Sequence, residues 1–374
     1  MIWVLGIIGL FYLLLIFYLL FGFGKLPVSR TMGTEIVNSF SIVIPFRNEG
    51  RNLKMLFSSL KSLEYPREAY EILLVNDDSE DDSEALCREF IQENPELQVK
   101  LLNSVRVSAS PKKDAILVAI SESQFEYILT TDADCTVPVG WLGAYNSFIE
   151  EMGAELIAGP VVLKKEPGFL NRFQELDVLS LQAATMGAFG VEKPIMCNGA
   201  NLCYRKAGFL EVEGFRGNGN IASGDDIFLL GKFVVRNKKT GFLKNPEATV
   251  TTCAQPDLRS LFSQRIRWAA KTSSYEDAFA KLVGIAVLLM NLVLVVELAL
   301  LLFGFDVKQI LLLSFLFKFN ADFLLLYRGA HFFGREKSMK SYFWASLLYP
   351  FFCTSIGIFS LFSGYNWKGR RFGK

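Results

Sequence analysis

The chain has 374 residues, of which 51% are hydrophobic, and a formal net charge of +1 at pH 7. This balance gives no global field that would draw the chain to nucleic acid, so we expect no nucleic-acid partner. The single histidine is His331, so a histidine-based triad or a histidine-rich metal site is excluded for residues 41–268, where the polar motifs described below lie. Any metal must therefore be held by carboxylates, which suits hard ions such as Mg²⁺ or Mn²⁺.

Four apolar stretches are long enough to cross a membrane, because a span needs roughly 20 mainly apolar residues. They lie at residues 1–24, 281–303, 310–327 and 342–362. The last three form a predicted membrane region at 280–363 of about three helices, and a basic tail follows at 364–374. The alternative is a set of buried core helices, but the short loops between the last three stretches favour membrane spans.

Residues 34–274 have the alternating strand and helix patterns of an α/β domain. Strand patterns lie at 40–44, 72–75, 99–102 and 127–130, and helix patterns lie at 52–63, 83–92 and 113–121. This alternation predicts βαβ units and a parallel sheet. Ligands of such sheets bind at the carboxyl ends of the strands. Polar motifs follow the strand patterns that end at Ile44, Val75 and Thr130.

Five polar motifs follow one another along the chain. They are Pro45-Phe46-Arg47-Asn48-Glu49, Asn76-Asp77-Asp78-Ser79, Asp132-Ala133-Asp134, Gly224-Asp225-Asp226 and Gln264-Arg265-Ile266-Arg267-Trp268. Each is weak alone, and an Asp-x-Asp is also common in solvated turns. In this order and spacing they resemble the membrane-bound members of glycosyltransferase family 2. The resemblance covers about residues 41–268. It implies a three-layer α/β nucleotide-diphospho-sugar transferase domain of the GT-A type, together with transmembrane helices.

The resemblance implies a metal-dependent hexosyltransferase with a nucleotide-sugar donor, here expected to be a UDP-sugar. Asp134 is then the direct ligand of Mg²⁺ or Mn²⁺, and Asp132 faces the metal or the ribose. Asp77 is implied to contact the base of the nucleotide. Asn76 stands where the family has an aspartate, which is a mild departure that leaves the base contact in place.

Two further segments match the donor side of the family. Pro45 and Glu49 fit its P-x-x-N-E motif, at the wall that binds the nucleotide. Lys112 resembles the lysine of a K-x-x-A segment near the diphosphate. The alternative for Lys112 is a solvated helix start, because Lys113 is adjacent to it.

On the acceptor side, the resemblance makes Asp226 the catalytic base. Asp225 replaces the glutamate usual in the family, so which of the two acids is the base stays open. Asn198 and Asn201 belong to a segment that resembles the loop shaping the sugar pocket, although both could equally be turn residues. The glycine-rich run at 214–224 predicts a mobile loop over the site.

The fifth motif resembles the Q-x-x-R-W motif of cellulose, hyaluronan and chitin synthases and of ceramide glucosyltransferases. Its helical pattern, with Arg and Trp on an amphipathic segment, is typical of a bilayer interface. The resemblance implies that Trp268 lies near the acceptor and that Arg267 contacts the diphosphate. Gln264 and Arg265 belong to the same predicted substrate-binding set. The alternative is an interfacial anchor helix without a catalytic role.

Three functions remain open for the whole chain. The first is inverting transfer of a sugar to a membrane lipid, in one displacement that needs a base and no enzyme nucleophile. The second is a processive polysaccharide synthase that extends a growing glycan. The third is a non-catalytic membrane scaffold with the same fold. Four spans are few for a polymer channel, which favours the lipid acceptor, and the required carboxylates disfavour the scaffold.

The expected location is the cell membrane, with several spans and a cytoplasmic catalytic domain, because UDP-sugars are cytoplasmic. Lys25 and Arg30 after the first span agree with the positive-inside rule. Four spans would then place the basic tail outside, against that rule. The tail contains Trp367-Lys368-Gly369-Arg370, which resembles a terminal motif of some lipid-directed relatives.

Three charged residues, Glu297, Lys318 and Asp322, lie within the apparent spans, where charge is costly and usually paired. Lys318 and Asp322 are four residues apart and share a helix face. We expect a structural clamp between helices, with Lys318 also within reach of Glu297. A lipid-headgroup site is the alternative.

Overall fold

The computed structural model describes residues 2–31, 35–221, 223–270, 277–362, 365–367 and 370–372. The predicted domain limits at 34 and 274 lie outside these residues, as do parts of the predicted tail at 364–374. The α-helices in the described parts are α1 (Ile2–Lys25), α2 (Gly50–Lys61), α3 (Ser83–Glu93), α4 (Pro111–Glu122), α5 (Trp141–Met152), α6 (Phe169–Gly190), α7 (Lys206–Glu211), α8 (Ile227–Val235), α9 (Leu258–Ala269), α10 (Ala278–Leu302), α11 (Lys308–Phe332) and α12 (Tyr342–Phe362).

The strands of the same parts of the chain are mostly short. They are β1 (Phe40–Phe46), β2 (Tyr70–Asn76), β3 (Val99–Asn103), β4 (Tyr127–Thr130), β5 (Cys135–Thr136), β6 (Leu156–Ala158), β7 (Val161–Leu163), β8 (Leu202–Arg205), β9 (Thr240–Phe242), β10 (Val250–Thr252), β11 (Tyr365–Trp367) and β12 (Arg370–Phe372). The last two pair as an antiparallel ribbon.

The chain divides into two compact units, each assembled from separate stretches of sequence. The sheet unit comprises Pro27–Lys164 and Met196–Cys253. The helical unit comprises Met1–Leu26, Lys165–Ile195 and Ala254–Lys374. This division differs from the continuous domain predicted over 34–274, because α6 and α9 belong to the helical unit.

The sheet unit contains a seven-stranded sheet in the order β3-β2-β1-β4-β8-β6-β9. Strands β1 to β4 are parallel, which confirms the predicted βαβ pattern for this half. Strand β8 runs antiparallel to both β4 and β6, so the complete sheet is mixed. A second sheet of three strands has the order β5-β10-β7.

Hydrophobic runs explain why the parallel strands form. Ile42, Val43 and Ile44 in β1 are fully buried, so side chains on both faces of this strand are covered. Parallel strands flanked by helices have this near-continuous apolar character. Helix α2 buries Leu53 and Leu60 at helical spacing, against the same core. These elements fix the carboxyl ends of the parallel strands, where the polar motifs begin.

Among the described residues, the helical unit contains four helices that are long and apolar enough to cross a membrane, which confirms the four predicted stretches. They cover Leu5–Lys25, Ala278–Leu302, Lys308–Phe332 and Glu336–Phe362. On α1, the large apolar side chains of Leu10, Leu14 and Phe21 are exposed. An exposed apolar face of this kind fits a lipid environment rather than water.

Helix α6 packs against α1, α11 and α12, although its sequence has mixed polarity. Its contact with α1 brings the two backbones together at glycines. A Cβ on Gly22 would lie 2.0 Å from the carbonyl oxygen of Gly187, and a Cβ on Gly187 would lie 2.3 Å from that of Leu19. Small residues permit such close helix approach in membranes. This contact places α6 in the helical unit rather than in the predicted catalytic domain.

The predicted pairing of charges within the spans is confirmed in part. Lys318 forms an ion pair with Asp322 one helical turn away, and Tyr12 donates a hydrogen bond to Asp322 at 2.5 Å. The carboxylate of Glu297 accepts a hydrogen bond from Ser314 at 3.0 Å, rather than the predicted contact from Lys318. The three helices α1, α10 and α11 each carry part of this polar network.

Candidate active site

The first two motifs meet at the carboxyl ends of β1 and β2. The backbone N–H of Asp77 donates to the carbonyl of Phe46 at 2.9 Å, and Arg47 donates to the carbonyl of Asp77 at 2.8 Å. Pro45 lies in β1 beside Val75 of β2. The predicted convergence of these two motifs is therefore present in the structure.

Glu49 lies directly before α2 and contacts the first residue of α3. Its backbone N–H donates to the hydroxyl of Ser83 at 2.8 Å. Its carboxylate accepts a hydrogen bond from the amide of Asn52 at 2.6 Å. Glu49 thus stiffens the loop between β1 and α2.

Asp77 is only 4% exposed, and Arg106 forms an ion pair with its carboxylate. The guanidinium of Arg106 also lies 3.8 Å from the carboxylate of Asp114 in α4. Sequence reasoning did not single out Arg106. The available signal was its position just after β3, whose carboxyl end lies at the same edge as those of β1 and β2. Asp77, which is predicted to contact the base of the nucleotide, therefore has Arg106 as a cationic partner.

Lys112 joins the third and fourth motifs. Its ammonium lies 2.7 Å from the carboxylate of Asp132 and 3.2 Å from that of Asp225. Burial lowers the pKa of Lys112, but Asp132, Asp225 and Asp226 together outweigh this and hold its pKa above the ordinary value. Lys112 is thus a permanent cation between two acidic motifs, rather than part of a solvated helix face; its side chain is only 17% exposed.

Asp226 begins α8 and faces the loop before β8. One of its carboxylate oxygens accepts the N–H of Ile227 at 2.8 Å, and the other accepts the N–H of Gly199 at 3.1 Å. A Cβ on Gly199 would lie 2.8 Å from a carboxylate oxygen of Asp225. A larger residue at position 199 would displace this carboxylate, so the acidic pair and the predicted acceptor-side loop are packed together.

The two asparagines of that loop differ in accessibility. Asn198 is half-buried, and its side chain accepts the N–H of Ala200 at 3.0 Å. Asn201 is 0% exposed, and its amide is bonded to Trp141, Tyr145 and the carbonyls of Pro160 and Ala248. The amide of Asn201 is fully engaged in the interior, so Asn201 holds the loop in place. Its predicted role in substrate binding stays a prediction.

Asp132 and Asp134 both follow β4 and are half-buried. The thiol of Cys135 donates to the carboxylate of Asp134 at 3.6 Å. Within the described part of the chain, no group of three or more His, Cys, Asp or Glu is placed to hold a metal ion. Mg²⁺ typically uses one or two carboxylates and completes its shell with waters and substrate phosphates. The two aspartates therefore fit a metal that binds together with a diphosphate.

The glycine-rich loop ahead of Asp225 is held at both ends by buried or half-buried lysines. Lys113 donates to the carbonyls of Asn218 and Ile221 at 2.7 and 3.0 Å. Lys232 donates to the carbonyls of Gly214 and Arg216 at 2.7 and 2.6 Å. The predicted mobility of this loop stays a prediction, and in this structure its described residues are tied to α4 and α8.

Gln264, Arg265, Arg267 and Trp268 lie on α9 in the helical unit, whereas the other predicted site residues lie in the sheet unit. Asp257 begins α9, and its carboxylate accepts the N–H of Ser260 at 2.8 Å. Arg265 is 6% exposed and binds Asp177 of α6 at 2.6 Å. Arg265 thus lies in an internal ion pair, and its predicted membership of the substrate-binding set stays a prediction. The other three residues are half-buried.

A mixed sheet whose parallel strands end in acidic motifs, next to an aspartate pair at a helix start, defines a GT-A type α/β fold. A family model described as "Glycosyl transferase family group 2" matches residues 127–358, which is more than half of the chain. A model described as "Glycosyl transferase family 2" matches residues 41–208. The chain belongs to glycosyltransferase family 2.

Two curated relatives are similar to parts of this chain. "Glycosyltransferase AglE" of Haloferax volcanii is 26% identical over 128 residues, which are 34% of this chain and 41% of that protein. "Beta-monoglucosyldiacylglycerol synthase" of a Synechocystis species is 23% identical over 235 residues, which are 61% of this chain and 46% of that protein. The chain therefore spans less than half the length of either relative.

Among solved structures, the chain is similar to the mannosyltransferase PcManGT from Pyrobaculum calidifontis, which was solved in complex with GDP-Man and Mn²⁺. The TM-score is 0.60 and the sequence identity is 16%. The match covers 92% of this chain and 97% of that one. At this identity the likeness supports the fold.

Proposed function

We propose that this protein transfers a hexosyl group from a UDP-sugar to a membrane lipid, with inversion at the anomeric carbon. The observation that carries the proposal is the pairing of Lys112 with both Asp132 and Asp225. It joins the predicted donor side of the site to the predicted acceptor side. A diphosphate bound there would lie beside the Lys112 ammonium. The acceptor would lie beside the Asp225–Asp226 pair in the same region.

On the donor side, Asp134 and Asp132 would hold Mg²⁺ or Mn²⁺. A bound divalent ion neutralises the charge that develops on a leaving diphosphate. Lys112 supplies a second positive charge to the same phosphates when they replace Asp132 and Asp225 as its partners. Asp77 accepts a hydrogen bond from the base of the nucleotide, and Arg106 fixes the orientation of that carboxylate.

On the acceptor side, the structure's contacts favour Asp226 over Asp225 as the base. Asp225 is buried and bound by Lys112, whereas Asp226 is half-buried. The two N–H donors to Asp226 leave a lone pair on each of its oxygens. Asp226 takes the proton of the acceptor hydroxyl. The acceptor oxygen forms a bond to the anomeric carbon, and the bond from that carbon to the diphosphate breaks, leaving its electron pair on the nucleoside diphosphate.

The lipid acceptor rests on two supports. The part of the chain that the structure describes has four helices long and apolar enough to cross a membrane. One relative is named as a glucosyldiacylglycerol synthase. We place the protein in the cell membrane, with several spans and the sheet unit in the cytoplasm, where UDP-sugars are found. The half-buried residues Gln264, Arg267 and Trp268 of the fifth motif would bind substrates.

The test is product analysis with purified protein in detergent. The protein is given Mg²⁺ or Mn²⁺, labelled UDP-sugars and, because of the solved neighbour's ligand, GDP-Man, with a lipid extract as acceptor. We expect one UDP-sugar to yield a discrete labelled glycolipid that partitions into organic solvent, and Asp226→Asn to yield none. A water-soluble ladder of high molecular weight would instead identify a polysaccharide synthase. Label transferred only from GDP-Man would overturn the assignment of a UDP-sugar as donor. The absence of transfer from every donor would overturn the proposed transferase activity.

A further inference from the structure

The guanidinium of Arg265 contacts two other residues of the Gln264–Trp268 motif. It donates to the side-chain oxygen of Gln264, and it lies 4.2 Å from the centre of the Trp268 ring. A cation this close to an aromatic face favours one ring orientation. The conformations of both motif side chains therefore depend on where the Arg265 guanidinium lies.

Asp177 of α6 fixes that guanidinium. Its carboxylate accepts a hydrogen bond from Arg265 at 2.6 Å, and Asp177 is only 5% exposed. Its other oxygen accepts the hydroxyl of Tyr349, on α12, at 3.1 Å. A buried carboxylate with a donor on each oxygen has little freedom to move. Two helices that lie outside the motif thus determine the position of Arg265.

Apolar contacts hold α9 in place independently of this ion pair. Leu261 is fully buried. The ring of Phe262 packs edge-on against Phe352 of α12 at 5.1 Å, and Phe352 packs in the same way against Phe173 of α6 at 5.1 Å. The helix is therefore docked by rings and an aliphatic side chain. The Asp177–Arg265 pair adds orientation to a helix that is already placed.

We propose that Asp177 is a positioning residue of the transferase, which acts through Arg265 to orient Gln264 and Trp268 for substrate. The proposal rests on the proposed function, in which these two motif residues bind substrates. Removing the carboxylate charge leaves the guanidinium free to turn, and Trp268 and Gln264 turn with it. Misplacement of about 1 Å at a reacting centre costs on the order of 100-fold in rate.

Glu175 provides a matched control on the same helix. It is a buried carboxylate two residues before Asp177, and it binds Arg335 at 3.1 Å and also the hydroxyl of Ser338. Its partners precede α12 and lie outside α9. Glu175→Gln and Asp177→Asn therefore remove the same charge from the same buried helix, but only the second touches the motif.

The first readout is kinetic. In full-length protein in detergent, we expect Asp177→Asn to lower kcat/KM for transfer roughly 10- to 100-fold, and Glu175→Gln to leave it near the wild-type value. Residues that act through one another are not additive. Asp177→Asn should therefore cause little further loss in an Arg265→Gln background. An equal loss in Asp177→Asn and Glu175→Gln, or full additivity with Arg265→Gln, would overturn the proposal.

The second readout does not need activity. The chain has five tryptophans, so protein labelled with 5-fluorotryptophan gives a small set of ¹⁹F resonances, and Trp268→Phe identifies the one from Trp268. We expect that resonance to shift in Asp177→Asn and to stay in place in Glu175→Gln; an unmoved resonance in both would refute the proposal. If Asp177→Asn does not fold, Tyr349→Phe replaces it, with a smaller shift in the same direction. A wild-type protein without transferase activity would defeat the proposed function alone, because the ¹⁹F arm still tests the positioning of Trp268.

Discussion

At the scale of single residues, the assignment of the catalytic base makes the most direct prediction. Asp226→Asn keeps the shape of the side chain but cannot take the acceptor proton, so kcat should fall by roughly 10²- to 10⁴-fold. Binding of UDP should be nearly unchanged, because the substitution leaves Lys112, Asp132 and Asp225 in place and Asp226 acts on the acceptor. Turnover and UDP titration by calorimetry measure the two effects. Undiminished turnover would transfer the role of base to Asp225, to be tested by Asp225→Asn.

A second residue-scale prediction separates metal binding from proton transfer. Asp134→Asn should weaken Mn²⁺-dependent UDP binding by at least the roughly 10- to 100-fold that loss of an outer partner costs a metal site. UDP binding without metal should change little. Calorimetric titrations with Mn²⁺ and with a chelator measure both. Equal weakening with and without metal would show that Asp134 does not act through the ion.

The acidic residues of the site could be predicted because the ends of parallel strands converge wherever such a sheet forms. Asp77 and Asp132 follow from that rule together with the family motif. The same rule places Arg106 near the site, because it follows β3, but it does not predict the ion pair of Arg106 with Asp77. The hydrogen bonds that occupy the amide of Asn201 could not be predicted either, since they come from side chains distant in sequence, such as Tyr145, 56 residues from Asn201. Pattern alone does not reveal such partners.

At the scale of elements, the contact of α1 with α6 gives a stability prediction. Gly187→Ala would place a methyl group 2.3 Å from the backbone oxygen of Leu19, so the helices must separate. Overpacking of this kind typically costs about 1–3 kcal/mol. Gly9→Ala, in α1, is the matched control, because a Cβ there meets nothing within 4 Å. Thermal unfolding in detergent should show a lower Tm for Gly187→Ala only, and equal Tm values would contradict the close packing.

Helix α6 is an element whose place in the fold could not be predicted from its sequence pattern. The strands β1, β2 and β4 and the helix α2 follow from hydrophobic periodicity. Helix α6 has buried polar residues, including Gln174, Glu175 and Asp177, that give no clean apolar face. Their partners lie on α9 and α12 and in the segments before each of these helices, and so become visible only once those elements are in place. Its membership in the helical unit was therefore not predictable from its own sequence.

At the scale of the whole molecule, composition and hydropathy predicted the four long apolar helices, because membrane length and apolar character are local properties of sequence. The division into two units was harder to predict, since each unit is assembled from stretches that are distant along the chain. Motif order is likewise local, and it identified the family. The side of the membrane on which each loop lies depends instead on the number of spans and on the charges that flank them.

If the sheet unit is inside, as we propose, four spans predict that Asp306 lies outside, that Lys337 lies inside and that the basic tail ends outside. The residues Lys25 and Arg30 support this orientation, and the first helix usually dominates it. A basic tail on the outside goes against the positive-inside rule, but the tail follows the last span and not the first. In a background without the six native cysteines, single cysteines at these positions test the topology. An impermeant reagent on intact cells should label Asp306→Cys and Lys374→Cys, and should label Lys337→Cys only after lysis. Labelling of Lys374→Cys only after lysis would return the tail to the cytoplasm and show that the last helix, which contains Pro350, does not cross the membrane as a simple span.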